Sequence, residues 1–519
     1  MITFSKIQTF LMGSLLIMMV NCTSRPTGAA DVVQVTVNQH TVPVIKGQNN
    51  DVLSMEFTLK EGDVLEQISL ATDGAEELEA LTVYELEKGT GGNKEPIAAL
   101  VRVGEKAVVN MDRPLSPGDH KLVVGIQPKK SASLKKTLQI GIKDISFGNS
   151  GAAIAKQSGS MPLRLATSLR NAGDDGVAAY RIPGLATTKK GSLIAVYDIR
   201  HNSSVDLQED IDVGMSRSTD GGENWEPMKT IMDMEEWGGK PQKENGIGDP
   251  AILVDPANNT IYVVALWLHG KPGERAWFSS GAGMSPDETG QLMMVKSHDD
   301  GKTWSDPINI TRQIKKREWK LMFNGPGKGI TMRDGTLVFA GQYKDENDMP
   351  YSTLIYSQDQ GETWHIGTGA KANTTEAQVV ELNDGSLMLN MRDNRGGARS
   401  VAVTKDLGKT WKEHPSSRSA LVEPVCMASL ITYPENRQSM DASHLFFSNP
   451  AVTDGRYNMT IKSSKDEGMS WTKGLLLDEG KGWGYSCLTV IDKEHLGILY
   501  ESSQAHMTFQ IIRTTELIP

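Results

Sequence analysis

The chain has 519 residues, with 54 Lys and Arg against 64 Asp and Glu, which gives a formal net charge of −10. This length favours two or more domains, and an apolar share of 38% together with 51 Gly excludes a mostly disordered chain. The acidic balance gives no support to nucleic-acid binding, and three Cys exclude a disulfide scaffold.

The N-terminal segment has the pattern of a secretory signal. Lys6 precedes an apolar run from Phe10 to Val20, which is too short to span a bilayer. Cys22 stands where a lipoprotein signal places its acylated Cys, whereas Asn21 replaces the small residue that is usual before it. We therefore predict a signal peptide over residues 1–22 and an exported protein, with the periplasm, a lipid anchor at the cell surface and secretion as alternatives.

Apolar and polar residues alternate in the segment that follows. The alternation is clear over 33–37, 53–59 and 138–142. A period of two residues is typical of half-buried strands, so we predict a β-sandwich accessory domain over residues 30–147. Carbohydrate binding and structural support are the two alternatives for its role. The small, polar stretch over residues 148–160 is interpreted as a linker.

One octapeptide, Ser-x-Asp-x-Gly-x-Thr/Asn-Trp, recurs from there to the end of the chain. Its Trp residues are spaced by 79, 60, 47 and 60 residues. The copies are Ser218–Trp225, Ser297–Trp304, Ser357–Trp364, Thr404–Trp411 and Ser464–Trp471, with Thr404 and Ser470 as departures from the pattern. In each copy the Asp can accept hydrogen bonds from turn amides, the Gly can supply a positive φ, and the Trp can pack on the neighbouring repeat.

The spacing of the copies leaves room for a four-stranded blade around each hairpin. Repeats at this spacing are typical of a propeller, in which radial closure leaves no long strand edge exposed. We therefore predict an all-β chain with a six-bladed propeller over residues 161–519, one blade lacking the octapeptide, preceded by the smaller β-sandwich.

The octapeptides resemble the Asp-boxes of the sialidase (neuraminidase) superfamily. Tyr180-Arg181-Ile182-Pro183 resembles the [Phe/Tyr]-Arg-Ile-Pro signature that opens the sialidase domain. The resemblance implies a bacterial exo-α-sialidase, a glycoside hydrolase that removes terminal sialic acids from glycans, glycoproteins or glycolipids. It also implies that the Asp residues of the octapeptides are structural, because in the family they lie away from the active site.

Sialidases bind the substrate carboxylate with three arginines, for which a planar guanidinium is well suited. Arg181 lies in an apolar strand, where its charge is costly unless it is paired. The resemblance assigns the clamp to Arg181, Arg392 and Arg456, with Arg399 as the alternative to Arg456. It adds Arg200 and Asp249 as further substrate-binding residues.

The resemblance also assigns the catalytic residues. Asp206, in the loop after Arg200, matches the acid/base Asp, and Asp198, Glu209 and Asp210 are its competitors. Tyr485 matches the nucleophile, Glu376 the base that takes its proton, and Glu501 a supporting residue that orients the first arginine, as shown by the segments Thr374–Val380, Gly484–Leu488 and Leu499–Ser502.

This combination of residues makes chemical sense for a sialic acid, whose anomeric carbon carries a carboxylate. A neutral phenol avoids the repulsion that an anionic nucleophile would meet, and sialidases are known as the Tyr-nucleophile exception among glycosidases. A phenol is a poor nucleophile near neutral pH until a base such as Glu376 accepts its proton. Asp206 would protonate the leaving oxygen and then deprotonate water, so the configuration would be retained.

We expect no cofactor and no metal, because the sequence has no His-x₃-His pair with a Glu between, no Cys₂–Cys₂ spacing and no EF-hand loop. Three other functions stay open. A glycan-binding propeller would keep the arginines but would not need Tyr485, Glu376 or Asp206. A trans-sialidase would use the same residues with an acceptor sugar in place of water. An Asp-box glycosidase for neutral sugars would need paired carboxylates and no arginine clamp.

Overall fold

The computed structural model describes residues 32–86, 93–157, 161–207, 209–269, 276–433 and 444–518. The predicted signal peptide lies outside these ranges. The described chain is dominated by strands, which confirms the all-β prediction. Its α-helices, Ala276–Ser279 and Thr311–Ile314, have four residues each, and 3-10 turns occupy Ala75–Glu77, Asp174–Gly176, Gln242–Glu244 and Thr514–Glu516. None of the helices in these ranges has the length and apolarity needed to cross a membrane.

The N-terminal part forms two sheets. Its strands are Val32–Gln39 (β1), Val44–Ile45 (β2), Asn50–Leu59 (β3), Asp63–Asp73 (β4), Leu78–Leu86 (β5), Lys94–Val101 (β6), Lys106–Leu115 (β7), Gly118–Pro128 (β8), Thr137–Phe147 (β9) and Gly151–Gln157 (β10). One sheet has the order β10-β1-β3-β8-β5-β6, and the other contains β9-β4-β7. The alternating apolar residues of β1, β3 and β9 lie in one buried core, as their period of two predicts.

The stretch interpreted as a linker contains a strand. β10 pairs in parallel with β1, with Val32 opposite Gly151 and Val37 opposite Gln157. Its residues Gly151, Ala152 and Ala153 are small and show no apolar alternation, so the periodicity that identified the other strands is missing here. Main-chain pairing with β1 places this segment in the sheet, and its Ala152 and Ile154 side chains pack against the edge of the apolar core.

Strand Leu163–Arg170 (β11) joins the N-terminal part to the rest of the chain. Its first residues pair with β9, Leu163 opposite Leu138, and its last residues pair with the final strand of the chain, Thr167 opposite Phe509. The second N-terminal sheet therefore continues through β11 into the C-terminal part.

The C-terminal part consists of four-stranded units in sequence. The strands are Ala179–Thr187 (β12), Leu193–Arg200 (β13), Ile211–Ser218 (β14), Lys229–Met232 (β15), Asn245–Asp255 (β16), Thr260–His269 (β17), Gln291–Ser297 (β18), Ile308–Asn309 (β19), Leu321–Asn324 (β20), Gly327–Lys328 (β21), Ile330–Thr331 (β22), Leu337–Lys344 (β23), Pro350–Ser357 (β24), His365–Ile366 (β25) and Lys371–Ala372 (β26). They continue as Thr374–Glu381 (β27), Leu387–Asp393 (β28), Gly397–Ala398 (β29), Ser400–Thr404 (β30), Lys412–Glu413 (β31), Val422–Glu423 (β32), Ser429–Tyr433 (β33), His444–Pro450 (β34), Met459–Ser464 (β35), Leu475–Asp478 (β36), Ser486–Val490 (β37), His495–Tyr500 (β38) and Met507–Arg513 (β39).

The pairing order defines units 1 to 6. They are β12-β13-β14-β15, β16-β17-β18-β19, β20-β23-β24-β25, β27-β28-β30-β31, β33-β34-β35-β36 and β37-β38-β39 with β11 as the fourth strand. Buried apolar clusters lie between unit 1 and unit 2, and then between each following pair up to units 5 and 6. Residues of units 6 and 1 meet in the core that they share with the N-terminal sheets.

Each octapeptide forms the turn between the third and fourth strands of one of units 1 to 5. In the third copy, the Ser357 hydroxyl accepts the amide of Gly361 at 2.9 Å, and Asp359 accepts the amide and hydroxyl of Thr363 at 2.9 and 2.5 Å. The Gly has a φ between 79° and 97° in every copy. The ring of Trp364 packs edge-on against Tyr262 of the preceding unit. The predicted structural role of the repeat is confirmed.

Candidate active site

The nine predicted site residues lie in a single cluster. They come from the first or second strands of their units, or from loops beside those strands, because these positions converge between neighbouring units. The contacts described below join all of them, namely Arg181, Arg200, Asp206, Asp249, Glu376, Arg392, Arg456, Tyr485 and Glu501.

The centre of the cluster is a tyrosine paired with a carboxylate. The Tyr485 hydroxyl donates to Glu376 Oε1 at 2.5 Å. The Arg392 Nη1 group donates to the other carboxylate oxygen of Glu376 at 2.5 Å and to the Tyr485 oxygen at 3.0 Å. The phenol therefore has a base on one side and a positive charge on the other.

The environment keeps this phenol neutral in the absence of substrate. Burial, followed by the neighbouring Glu376 carboxylate, raises the pKa of Tyr485 well above its ordinary value of 10. Arg392 and Arg456 act in the opposite direction. The Glu376 carboxylate is the group placed to accept the proton of this phenol.

Glu501 connects the first arginine with the tyrosine. Its Oε1 accepts the Arg181 Nε–H at 2.7 Å and the Ile182 amide at 3.0 Å, and its Oε2 accepts the Tyr485 amide at 3.0 Å. Ile182 has a φ of 63°, which is rare for a β-branched residue, at a shift in the register between β12 and β13. This bulge places the Arg181 side chain over the rings of Trp483 and Tyr485.

The other candidate clamp arginines differ in their surroundings. Arg456 lies over the Tyr485 ring, and its Nη1 donates to the Trp483 carbonyl at 2.8 Å. Arg399, the alternative third arginine, is fully buried and pairs with Glu423 at 2.8 Å. The structure therefore places Arg456, and not Arg399, beside the tyrosine.

Asp206 lies on the loop between β13 and β14 and is held by Arg200. The Arg200 Nη1 group donates to Asp206 Oδ1 at 2.8 Å and to the Ser204 carbonyl at 2.8 Å. The Asp206 side chain is 81% exposed, and Arg181 Nη1 lies 3.9 Å from it. Despite this exposure, the protein around the cleft partly desolvates Asp206 and raises its pKa, but the charges of Arg200 and Arg181 outweigh this effect, and the pKa lies below its ordinary value.

Asp249 occupies a strained turn at the edge of the same cluster. Its φ is 56°, its amide donates to Asp198 at 2.9 Å, and its carbonyl accepts the side-chain amide of Asn324 at 2.7 Å. Burial, and then the nearby carboxylates of Asp198, Glu376 and Asp206, raise the pKa of Asp249 well above its ordinary value.

Two residues of the cluster were not assigned a role from sequence. Asp198 was considered only as a competing acid, yet it is fully buried and pairs with Arg200 at 2.8 Å. Trp483 supports both Arg181 and Arg456. Its position two residues before Tyr485 was the available signal, but a lone aromatic residue is more often part of a core.

A separate group of side chains has the composition of a metal site. His201, Asp210 and Asp212 each place a potential ligand atom within 4.8 Å of the others. The His201 Nε2 and Asp212 Oδ2 atoms lie 2.8 Å apart, which is a hydrogen-bonding distance. The expectation that the chain uses no metal stays a prediction.

Comparison with known proteins assigns the chain to a family. Residues 191–500 match the BNR repeat-like domain. The sialidase of Bacteroides fragilis is 52% identical over 418 residues, which cover 80% of this chain and 77% of that one. The sialidase of Paraclostridium sordellii is 31% identical over 348 residues, 62% of this chain and 81% of that one. The solved structure of the Hadza microbial sialidase Hz136 superposes with a TM-score of 0.88 at 43% identity, covering 93% of this chain and 100% of that one.

The all-β fold with BNR repeats and the pair of Tyr485 and Glu376 are typical of a glycoside hydrolase of the sialidase type. The chain belongs to the sialidase family and is an exo-α-sialidase, a glycoside hydrolase.

Proposed function

We propose that the protein is a retaining exo-α-sialidase, which hydrolyses terminal α-linked sialic acids from glycans, glycoproteins or glycolipids. The observation that carries the mechanism is the 2.5 Å hydrogen bond from the Tyr485 hydroxyl to Glu376. A non-catalytic glycan-binding protein would have no use for a buried phenol paired with a base. The sialidase relatives support the substrate class.

The first step forms a bond between Tyr485 and the sugar. The phenol passes its proton to Glu376 as its oxygen attacks the anomeric carbon, and Asp206 protonates the leaving oxygen as the glycosidic bond breaks. Arg181, Arg392 and Arg456 bind the sialate carboxylate, each through charge-assisted hydrogen bonds that contribute about 1.5–3 kcal/mol.

The second step releases the sugar. The Asp206 carboxylate takes a proton from water, whose oxygen attacks the anomeric carbon while the bond to Tyr485 breaks and Glu376 returns the proton to the phenol. Two displacements at the same carbon retain its configuration. In this proposal, Asp249 lies near the substituents of the sugar ring. Glu501 holds Arg181 in place.

We propose further that units 1 to 6 are the blades of a six-bladed propeller and that the two N-terminal sheets form the predicted β-sandwich. The apolar clusters between successive units, and the core shared by units 6 and 1, support a ring. The substrate class is consistent with the predicted export, since sialylated glycans are found mainly outside cells or on their surface.

The test is the release of fluorophore from an aryl α-sialoside by the full chain. We expect turnover by the wild type and near-background rates for Tyr485→Phe and Arg181→Ala. Tyr500→Phe is the control, because it removes an equally buried hydroxyl that bonds to Gln510 at 3.0 Å. Absence of turnover, with sialic acid binding that survives Tyr485→Phe, would contradict the proposal and favour a glycan-binding protein.

A further inference from the structure

Asp198 is a buried carboxylate between two parts of the candidate site. It lies on β13, opposite Arg181 of β12 and Val213 of β14, and its side chain has no exposed surface. An ionised carboxylate in such a place is costly unless charged or polar partners satisfy it. Its partners therefore indicate what the residue does.

One carboxylate oxygen of Asp198 binds Arg200 through two hydrogen bonds. Asp198 Oδ2 accepts the Nε–H at 3.1 Å and an Nη2–H at 2.8 Å. This leaves the Nη1 group of Arg200 to donate to Asp206 Oδ1 at 2.8 Å. Because a guanidinium is planar and rigid, fixing one edge of Arg200 also fixes the direction in which Nη1 points. Asp198 thereby sets the position of Asp206 through Arg200.

The other oxygen holds the turn that carries Asp249. Asp198 Oδ1 accepts the Asp249 amide at 2.9 Å. The preceding residue is Gly248, where a Cβ atom would come within 2.9 Å of the same oxygen. The site between β13 and β16 is therefore shaped for the Asp198 carboxylate, with no room for a larger neighbour.

We infer that Asp198 is a positioning residue for acid–base catalysis: through Arg200 it holds Asp206 at the leaving oxygen, and it fixes the Asp249 turn beside it. This inference rests on the proposed function. It gives Arg200 the role of a link between two carboxylates, since its hydrogen bonds go to Asp198, Ser204 and Asp206.

The test compares two leaving groups. A sugar leaving group needs an acid, whereas a nitrophenol leaves readily without one. If Asp198 positions the acid, Asp198→Asn should lower kcat/KM for 3′-sialyllactose by roughly 100-fold, within the contribution of a general acid, and for the 4-nitrophenyl α-sialoside by less than about 5-fold. A purely structural role would lower both values equally. The ratio kcat/KM is used because it reports the bond-breaking step for both substrates.

Asp300→Asn is the matched control. Asp300 is also a buried Asp, paired with Arg217 at 2.6 Å, but it lies within the second octapeptide turn and outside the site. We expect Asp300→Asn to lower thermal stability about as much as Asp198→Asn does. Relative to wild type, its kcat/KM should change by the same factor for both leaving groups. A leaving-group effect in Asp300→Asn would show that stability alone causes it and would overturn the inference.

The Asp206→Asn variant distinguishes a failure of the acid role of Asp206 from a failure of the positioning role of Asp198. If Asp206→Asn shows no preference for the nitrophenyl substrate, the acid role in the proposed function is wrong. If it shows the preference and Asp198→Asn does not, only the inference about Asp198 is wrong. The double variant should lose no more activity on 3′-sialyllactose than Asp206→Asn alone, because both changes act on one step.

A second variant tests the same inference in case Asp198→Asn does not fold. Arg200→Lys keeps the positive charge but cannot bond to both carboxylates in a fixed direction. We expect the same preference for the nitrophenyl substrate, and equal losses on both substrates would contradict the inference.

Discussion

At the scale of single residues, the three clamp arginines are prepared to different degrees. Arg181 and Arg392 are paired with Glu501 and Glu376, whereas Arg456 donates to the carbonyls of Trp483 and Val425. A carbonyl carries no net charge, so Arg456 keeps the most unbalanced positive charge of the three. We expect it to make the largest contribution to holding the substrate carboxylate.

The two candidates for the third arginine can be distinguished by substitution. Arg456→Ala should raise KM more than 10-fold with little loss of thermal stability, because it removes a charge-assisted bond to substrate. Arg399→Ala should destabilise the fold by about 3–5 kcal/mol, because it leaves Glu423 buried without its partner. Steady-state kinetics and urea unfolding measure the two effects. A raised KM in Arg399→Ala, with Arg456→Ala unaffected, would reverse the assignment.

The lowered pKa of Asp206 predicts a particular pH dependence. As an acid, Asp206 must be protonated. In the free enzyme, desolvation raises the pKa of Asp206, but the charges of Arg200, Arg181 and Arg456 lower it by more and favour the ionised form. A bound sialate carboxylate would offset the charges of Arg181 and Arg456 and thereby raise this pKa. The alkaline limb of kcat should therefore lie at a higher pH than that of kcat/KM. Profiles with 3′-sialyllactose in which the order is reversed would contradict this account.

Sequence could predict the residues of this site but not how they are connected. Tyr485, Glu376 and Arg181 lie in short segments with family motifs, and the structure brings them together. The link from Asp198 through Arg200 to Asp206 depends on which guanidinium edge faces which carboxylate, and the sequence contains no such information. From sequence, Asp198 is considered only as a competitor of Asp206 for the role of the acid.

At the scale of secondary-structure elements, the octapeptide turns are stabilised locally. In the copies at Asp299, Asp359 and Asp406, hydrogen bonds from turn amides and Thr hydroxyls lower the pKa of the Asp to about 2. These turns lie at the end of units 1 to 5 where the third and fourth strands meet, and none of the site residues is in them. They contribute to folding and not to the chemistry.

Removal of one such carboxylate should affect stability and leave catalysis unchanged. Asp359→Ala loses bonds to Thr363 and Ser357, and we expect a destabilisation of about 1 kcal/mol at neutral pH with unaltered kcat and KM. Because the folded pKa is lowered, the contribution is present above the unfolded value near 4 and is lost as the pH falls towards 2. Urea unfolding at pH 7 and pH 2.5 measures the difference. A difference that grows at the lower pH would contradict it.

The element scale also shows where periodicity succeeds and fails. The octapeptide predicted five hairpins because its Asp, Gly and Trp act within eight residues. Strand β10 was interpreted as part of a linker, because its residues are mostly small or polar, although it pairs with β1 and its Ala152 and Ile154 pack against the core.

At the scale of the whole molecule, the N-terminal sheets are firmly attached to units 1 and 6. One apolar core contains residues of both parts, including Leu138 and Phe509. Glu223, within the first octapeptide, accepts the Ser133 hydroxyl at 2.7 Å and the Leu134 amide at 3.1 Å. The N-terminal part therefore has a fixed contact with the catalytic units.

This attachment predicts cooperative unfolding of the described chain. Because β11 pairs with both β9 and β39, neither part can unfold without exposing the core that they share. Differential scanning calorimetry of the full chain should show one main transition, and Glu223→Ala should lower its midpoint without dividing it. Two well-separated transitions in the wild type would show that the parts are independent.

The central claim is that Tyr485 is the nucleophile, and chemical trapping tests it most directly. A 2,3-difluorinated sialic acid should form a glycosyl–enzyme intermediate that is slow to hydrolyse, because its fluorine atoms withdraw electrons from the oxocarbenium-like transition state. After incubation and peptide mass spectrometry, we expect the sugar on Tyr485 and a loss of labelling in Tyr485→Phe. A label on Glu376 or Asp206 would contradict the account.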